Sequence, residues 1–102
     1  MSAIKFLSIF LVFVFFAINV NSDTKIAFGS CIDQRYPQKI WETIENENIE
    51  KFIFLGDNVY GDIPSGDTDY LVNAYQLQAI RFPSWLSNTE KLAIWDDHDY
   101  GK

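Results

Sequence analysis

Three short apolar runs, each closed by glycine or aspartate, constrain this chain more than any other feature. They are Lys25–Gly29 (KIAFG), Lys51–Leu55 (KFIFL) and Lys91–Trp95 (KLAIW). Runs of about five apolar residues with such boundaries suit strands buried on both faces. Between them lie two stretches at helical spacing. Pro37–Glu45 carries Ile40, Trp41 and Ile44, and Asp69–Ile80 places Leu71, Ala74, Tyr75 and Gln78 near one face. Strand, helix, strand, helix, strand is the order of βαβ units, so the expected fold class is α/β with a parallel sheet. Arg81–Asn88 reads as a loop with a short helical turn at Pro83, and Gly61–Asp67 as an exposed, turn-rich tip.

The first 22 residues stand apart from this pattern. Lys5 precedes an apolar run from Phe6 to Val20, and Val20 and Ser22 suit a signal peptidase cut between Ser22 and Asp23. The run is shorter than the ~20 apolar residues of a membrane span. Residues 1–22 are therefore expected to be a signal peptide rather than an uncleaved anchor. The protein is expected to be secreted, with residues 23–102 as its mature part and no stable membrane insertion. That part is small for a self-sufficient core. Cys31 is the sole cysteine, so no disulfide within the chain can compensate. In an exported chain it is free, paired with another chain, or a metal ligand.

The net charge is −6, which leaves no electrostatic footprint for nucleic acid. Much of the acidity falls late, at Asp57, Asp62, Asp67, Asp69, Asp96, Asp97 and Asp99. In parallel α/β sheets, ligands bind beyond the carboxyl ends of the strands. The three runs lead directly into Gly29-Ser30-Cys31, Gly56-Asp57-Asn58-Val59-Tyr60 and Asp96-Asp97-His98-Asp99. On one sheet these three groups converge.

Each group has a bland and a chemical reading. Asp57 could cap the following turn, or its carboxylate could bridge two metals that clamp the oxygens of a phosphoryl transfer. One of Asp96 and Asp97 can face the site while the other anchors the loop. His98, the chain's one histidine, gains basicity beside carboxylates, which suits protonating a leaving group or holding a phosphate oxygen. Cys31 could be a small buried side chain, a nucleophile or a soft ligand. Tyr60 could be packed or could supply a phenolate. Thiolate, phenolate and carboxylate together suit a ferric ion better than zinc.

Taken together, IAFGSC, FIFLGDNVYGD and AIWDDHDYG resemble the motifs of the PhoD-like alkaline phosphatases and phosphodiesterases, a branch of the calcineurin-like metallophosphoesterases. The resemblance spans residues 25–101. It implies the N-terminal β-α-β-α-β portion of a metallophosphoesterase α/β sandwich. It also implies a dinuclear site with Fe3+ and a second divalent metal, Ca2+ in characterised relatives. By motif position Cys31, Asp57 and Tyr60 would bind the ferric ion and Asp57 would bridge. The Asp96-Asp97-His98-Asp99 motif would line the second-metal side and the phosphate pocket. The substrate would be a small phosphate mono- or diester, attacked by a metal-activated hydroxide. Members of the family draw further ligands from a second half, including an Asn just past the third motif. The segment 23–102 alone is therefore expected to lack part of the site and to be inactive by itself. The competing readings are a secreted metal- or phosphate-binding module without enzymatic activity, and an inactive truncated product.

Overall fold

A computed structural model of the chain describes residues 23–101. The expected signal peptide lies outside the described residues. Within them the elements are β1 (Ile26–Gly29), α1 (Ile40–Glu45), β2 (Lys51–Leu55), α2 (Thr68–Arg81), a 3-10 turn (Ser84–Asn88), β3 (Glu90–Ile94) and α3 (Asp97–Tyr100). The strands form one parallel sheet in the order β1-β2-β3. This is a small α/β unit, and its sheet follows the sequence order without a swap. Among the described residues no helix is long and apolar enough to cross a membrane.

Local chemistry sets the element ends. At the start of α2 the Asp67 carboxylate accepts from the Asp69 N–H, and Arg81 closes the last turn, so both ends match the helix dipole. Pro83 cannot continue α2 and caps the 3-10 turn instead. α1 begins at Ile40, later than the expected Pro37. The preceding bonds, Trp41 N–H to Gln38 O and Glu42 N–H to Lys39 O, span three residues and form a tight lead-in turn.

The core lies on one side of the sheet. Trp41, Phe52, Phe54 and Leu86 are buried together, with Ala27, Ile32, Ile44, Ile49, Phe82 and Trp85 packed around them. Trp41 is the hub: its ring lies 5.2 Å from that of Phe52, 5.6 Å from Phe82 and 6.1 Å from Trp85. Those separations are ordinary for tilted and edge-on aromatic pairs.

The expectation that all three strands are buried on both faces is not met. Only β2 shows buried positions, at Phe52 and Phe54, and every residue of β3 is exposed. The opposite face presents Ile26 and Phe28 from β1, Leu55 from β2, and Leu92 and Ile94 from β3. Phe28 is 71% exposed there. The physical reason is that α1, the 3-10 turn and Phe82 all pack against the Phe52–Phe54 side. α2 covers the strand-end loops rather than the second face: a side chain at Gly61 would meet Leu71 at 2.7 Å and Ala74 at 3.0 Å.

Candidate metal centre

The loops after the strands are laced together by backbone bonds. Cys31 N–H donates to Gly56 O at 3.2 Å and Ile32 N–H to Asp57 O at 3.1 Å, which carries the β1–β2 pairing past the strand ends. Gly56 adopts φ +97°, and a Cβ there would fall 2.8 Å from the Asp96 Cβ. Glycine is required for that approach, and it presses the second loop against the third. Cys31 and Asp57 themselves hold φ +61° and +51°. For side-chain-bearing residues the left-handed region costs on the order of 1 kcal/mol each. Such strain persists where the surroundings impose it; Cys31 and Asp57 each lie two residues past a strand end, and Asn48, at φ +51°, shares the conformation away from the centre.

Asp99 builds the scaffold beneath. It is buried, and its carboxylate accepts from the backbone N–H groups of Asn58 (2.6 Å), Val59 (3.2 Å) and Asp96 (2.9 Å). The last of these closes a capping box in which the Asp96 carboxylate caps α3 through the Asp97 N–H. The Tyr75 hydroxyl donates to Asp99 O at 2.6 Å, tying α2 to the same point. Gln78, also buried, donates to Asn58 O and Ile32 O, while Gln34 accepts from Tyr60 N–H and donates to Tyr60 O. Two glutamines and an aspartate thus satisfy the backbone of the loops that carry the candidate ligands.

On this scaffold the side chains form two groups that share Asp57. On one side the Cys31 Sγ lies 3.7 Å from Asp57 Oδ2, and Cys31 is close enough to the Tyr60 phenol to influence its ionisation. Burial, then the neighbouring Cys31 and Asp57, push the Tyr60 hydroxyl well above its ordinary value. A phenolate there requires a cation. On the other side a carboxylate oxygen of Asp57, one of Asp97 and a ring nitrogen of His98 lie within 4.8 Å of one another. The His98 backbone N–H donates to Asp57 Oδ1 at 3.4 Å, so the two Asp57 oxygens face different neighbours. A trio of this composition could hold a cation.

His98 Nδ1 pairs with the Asp62 carboxylate. That bond raises the His98 pKa above 6.5 and outweighs the opposing effect of burial, while the charges of Asp62, Asp97 and Asp57 add to the rise. With Nδ1 engaged, Nε2 is the nitrogen left for a ligand or a proton. The Tyr60 ring lies 4.6 Å from the His98 ring.

The fold therefore brings together Cys31, Asp57, Tyr60, Asp97 and His98. It assigns Asp96 and Asp99 differently: the Asp96 carboxylate is spent on the α3 cap, and the buried Asp99 carboxylate on the backbone N–H groups of Asn58, Val59 and Asp96. Cys31 is exposed and so is no small core residue. Reading the sequence missed Asp62 as the partner of His98, Asp99 as the scaffold, and Gln34 and Gln78. The loop repeats a Gly-Asp pair three times, at Gly56-Asp57, Gly61-Asp62 and Gly66-Asp67, but nothing in that repeat separates Asp62 from Asp67, which caps α2. Comparison of the chain with known protein families, with curated proteins and with solved structures returned no match.

Proposed function

We propose that this chain is the N-terminal part of a secreted, PhoD-like metallophosphoesterase that hydrolyses small phosphate esters. The observation that carries the reading is the shared Asp57 carboxylate, with a thiol and a phenol on one side and Asp97 with His98 on the other. The donor chemistry fits two unlike metals. Cys31, Asp57 and Tyr60 would hold a ferric ion, while Asp57 and Asp97 would hold a harder divalent ion such as Ca2+. Bound there, the metals would supply a nucleophilic hydroxide and Lewis-acid stabilisation of the phosphoryl oxygens.

The chain's own residues supply the rest. Asp57 keeps the two halves of the centre at one spacing. His98, whose charged form is favoured by its pairing with Asp62, donates a hydrogen bond to a phosphate oxygen or a proton to the leaving alkoxide. Asp62 holds the imidazole ring by Nδ1 and favours the charged form. Asp99 fixes the loop that carries Asp57. No serine or cysteine nucleophile is invoked. Cys31 lies beside the Asp57 carboxylate and the Tyr60 phenol, neither of which is suited at neutral pH to act as the base that a thiol nucleophile needs.

The test is metal analysis and bis-p-nitrophenyl phosphate turnover on one preparation of the protein in its full natural length. Bound iron and turnover are expected, and both should be lost in Cys31→Ala and Asp57→Ala. A folded protein with neither would sink the phosphoesterase reading and favour the non-enzymatic binding module.

A further inference from the structure

The candidate centre is crowded with negative charge. Asp57 and Asp97 form its trio with His98, Asp62 pairs with the imidazole, and the charge of Asp33 reaches His98 as well. A phosphate ester is itself an anion, and the chain carries a net charge of −6. Metal ions in the centre offset part of this repulsion. A protein cation at the entrance would help orient the ester before it meets them.

Arg35 stands there. Its guanidinium carbon lies 5.7 Å from the centre of the Tyr60 ring and 5.8 Å from that of Tyr36, within reach of both π faces. The Tyr60 ring in turn touches His98. Asp33 grips the guanidinium along one edge, with Nε donating to Oδ1 at 2.9 Å and Nη2 to Oδ2 at 2.6 Å. A guanidinium has five N–H donors in a fixed plane. The fork to Asp33 takes the Nε/Nη2 edge and leaves the Nη1/Nη2 edge as a second bidentate face. Arg35 is exposed, so that face is open to an arriving ligand. Two rings and a carboxylate hold the side chain in one orientation before anything binds, which reduces the entropy cost of using it.

We propose that Arg35 is a substrate-binding residue that takes a non-bridging oxygen of the phosphate ester at the edge of the centre formed by Cys31, Asp57, Tyr60, Asp97 and His98. The inference rests on the phosphoesterase reading for its ligand. It goes beyond that reading in assigning anion recognition to a residue that is no part of the metal-ligand motifs. An exposed pair such as Arg35–Asp33 contributes little to stability, so substitutions of Arg35 should leave the fold intact.

The experiment measures binding of inorganic phosphate to the iron-loaded, full-length protein by calorimetry, with bis-p-nitrophenyl phosphate kinetics alongside. Arg35→Gln is expected to weaken phosphate binding about tenfold, the loss of one exposed charge-assisted contact. It should raise KM by a similar factor with kcat little changed. Arg35→Lys should recover part of the loss, since it keeps the charge without the fork. Lys39→Gln, which removes an exposed charge outside the cluster, should change neither. Phosphate affinity unchanged in Arg35→Gln, an equal loss in Lys39→Gln, or no phosphate binding by the parent protein would each overturn the assignment. Ester turnover with Arg35→Gln indistinguishable from the parent removes this inference and leaves the phosphoesterase reading standing. Arg35-dependent phosphate binding without turnover does the reverse.

Discussion

Asp99→Asn should be the most damaging isosteric change in the described structure. The parent carboxylate is buried and accepts from three backbone N–H groups, those of Asn58, Val59 and Asp96. Asparagine offers one carbonyl oxygen and one amide nitrogen. If the oxygen stays toward Asn58 and Val59, the NH2 group faces the Asp96 N–H, donor against donor. If the amide is turned, the clash moves to Asn58 and Val59, and two N–H groups are stranded instead of one. Even the better orientation loses a charge-assisted bond and strands a buried donor, a loss of about 3 kcal/mol. With a urea m value of roughly 1.5 kcal/mol/M for a small unit, the unfolding midpoint falls by about 2 M. The assay is urea unfolding of the full-length protein followed by tryptophan fluorescence, which Trp41 reports from the core. Asp99→Ala should lose more, because all three donors are stranded. A midpoint shift for Asp99→Asn below about 0.3 M would refute the claim that this carboxylate holds the Asn58–Val59 loop.

Other outcomes follow from the same geometry. Gly61→Ala places a methyl 2.7 Å from Leu71 Cδ1 and 2.9 Å from its Cα, so α2 must shift; a loss of about 1–3 kcal/mol is expected in the same unfolding assay. Cys31 sits at φ +61°, so Cys31→Gly should leave the metal-free protein about 1 kcal/mol more stable than Cys31→Ala, opposite to the usual order, while on the proposed function both would lose iron. The His98 pKa, followed by NMR in the metal-free protein, should lie above 6.5 and fall toward it in Asp62→Asn. Since the folded value is the raised one, the His98–Asp62 pair contributes its full stability below the unfolded pKa and loses it as pH rises through the folded pKa. A destabilisation by Asp62→Asn that grew with rising pH would contradict that sign.

The strand pattern was readable because it is local. KIAFG, KFIFL and KLAIW carry their own boundaries, and the observed strands differ from them by a residue at most. α2 extends one residue beyond its expected range at each end, since Asp67 caps it earlier and Pro83 stops it later. What covers the sheet was not readable. An apolar run looks the same whether one face is packed or two, and only the placement of α1 and Phe82 decides it. The candidate ligands were visible because each directly follows a strand. Their supports were not: His98 finds Asp62 at a separation of 36 residues, Gln38 finds Gln78 at 40, and Gln78 reaches back 46 to Ile32. Asp99 could be seen as one carboxylate among four neighbouring polar residues. Nothing in Asp96-Asp97-His98-Asp99 distinguishes the one that turns inward to receive backbone donors from the one that turns toward the centre.

The sheet order has a consequence for assembly in time. Strands β1, β2 and β3 neighbour one another in the order in which a ribosome makes them, and each brings its share of the centre only when it docks. Cys31 arrives with the first, Asp57 and Tyr60 with the second, Asp97 and His98 with the third. A nascent chain therefore presents a thiol alone, then a thiol, phenol and carboxylate, and completes the His98 trio last. On the proposed function, iron capture would begin when two strands have paired, whereas the second cation would have no pocket until β3 is seated. In a pulse-labelled chain, the two metals should load in that sequence.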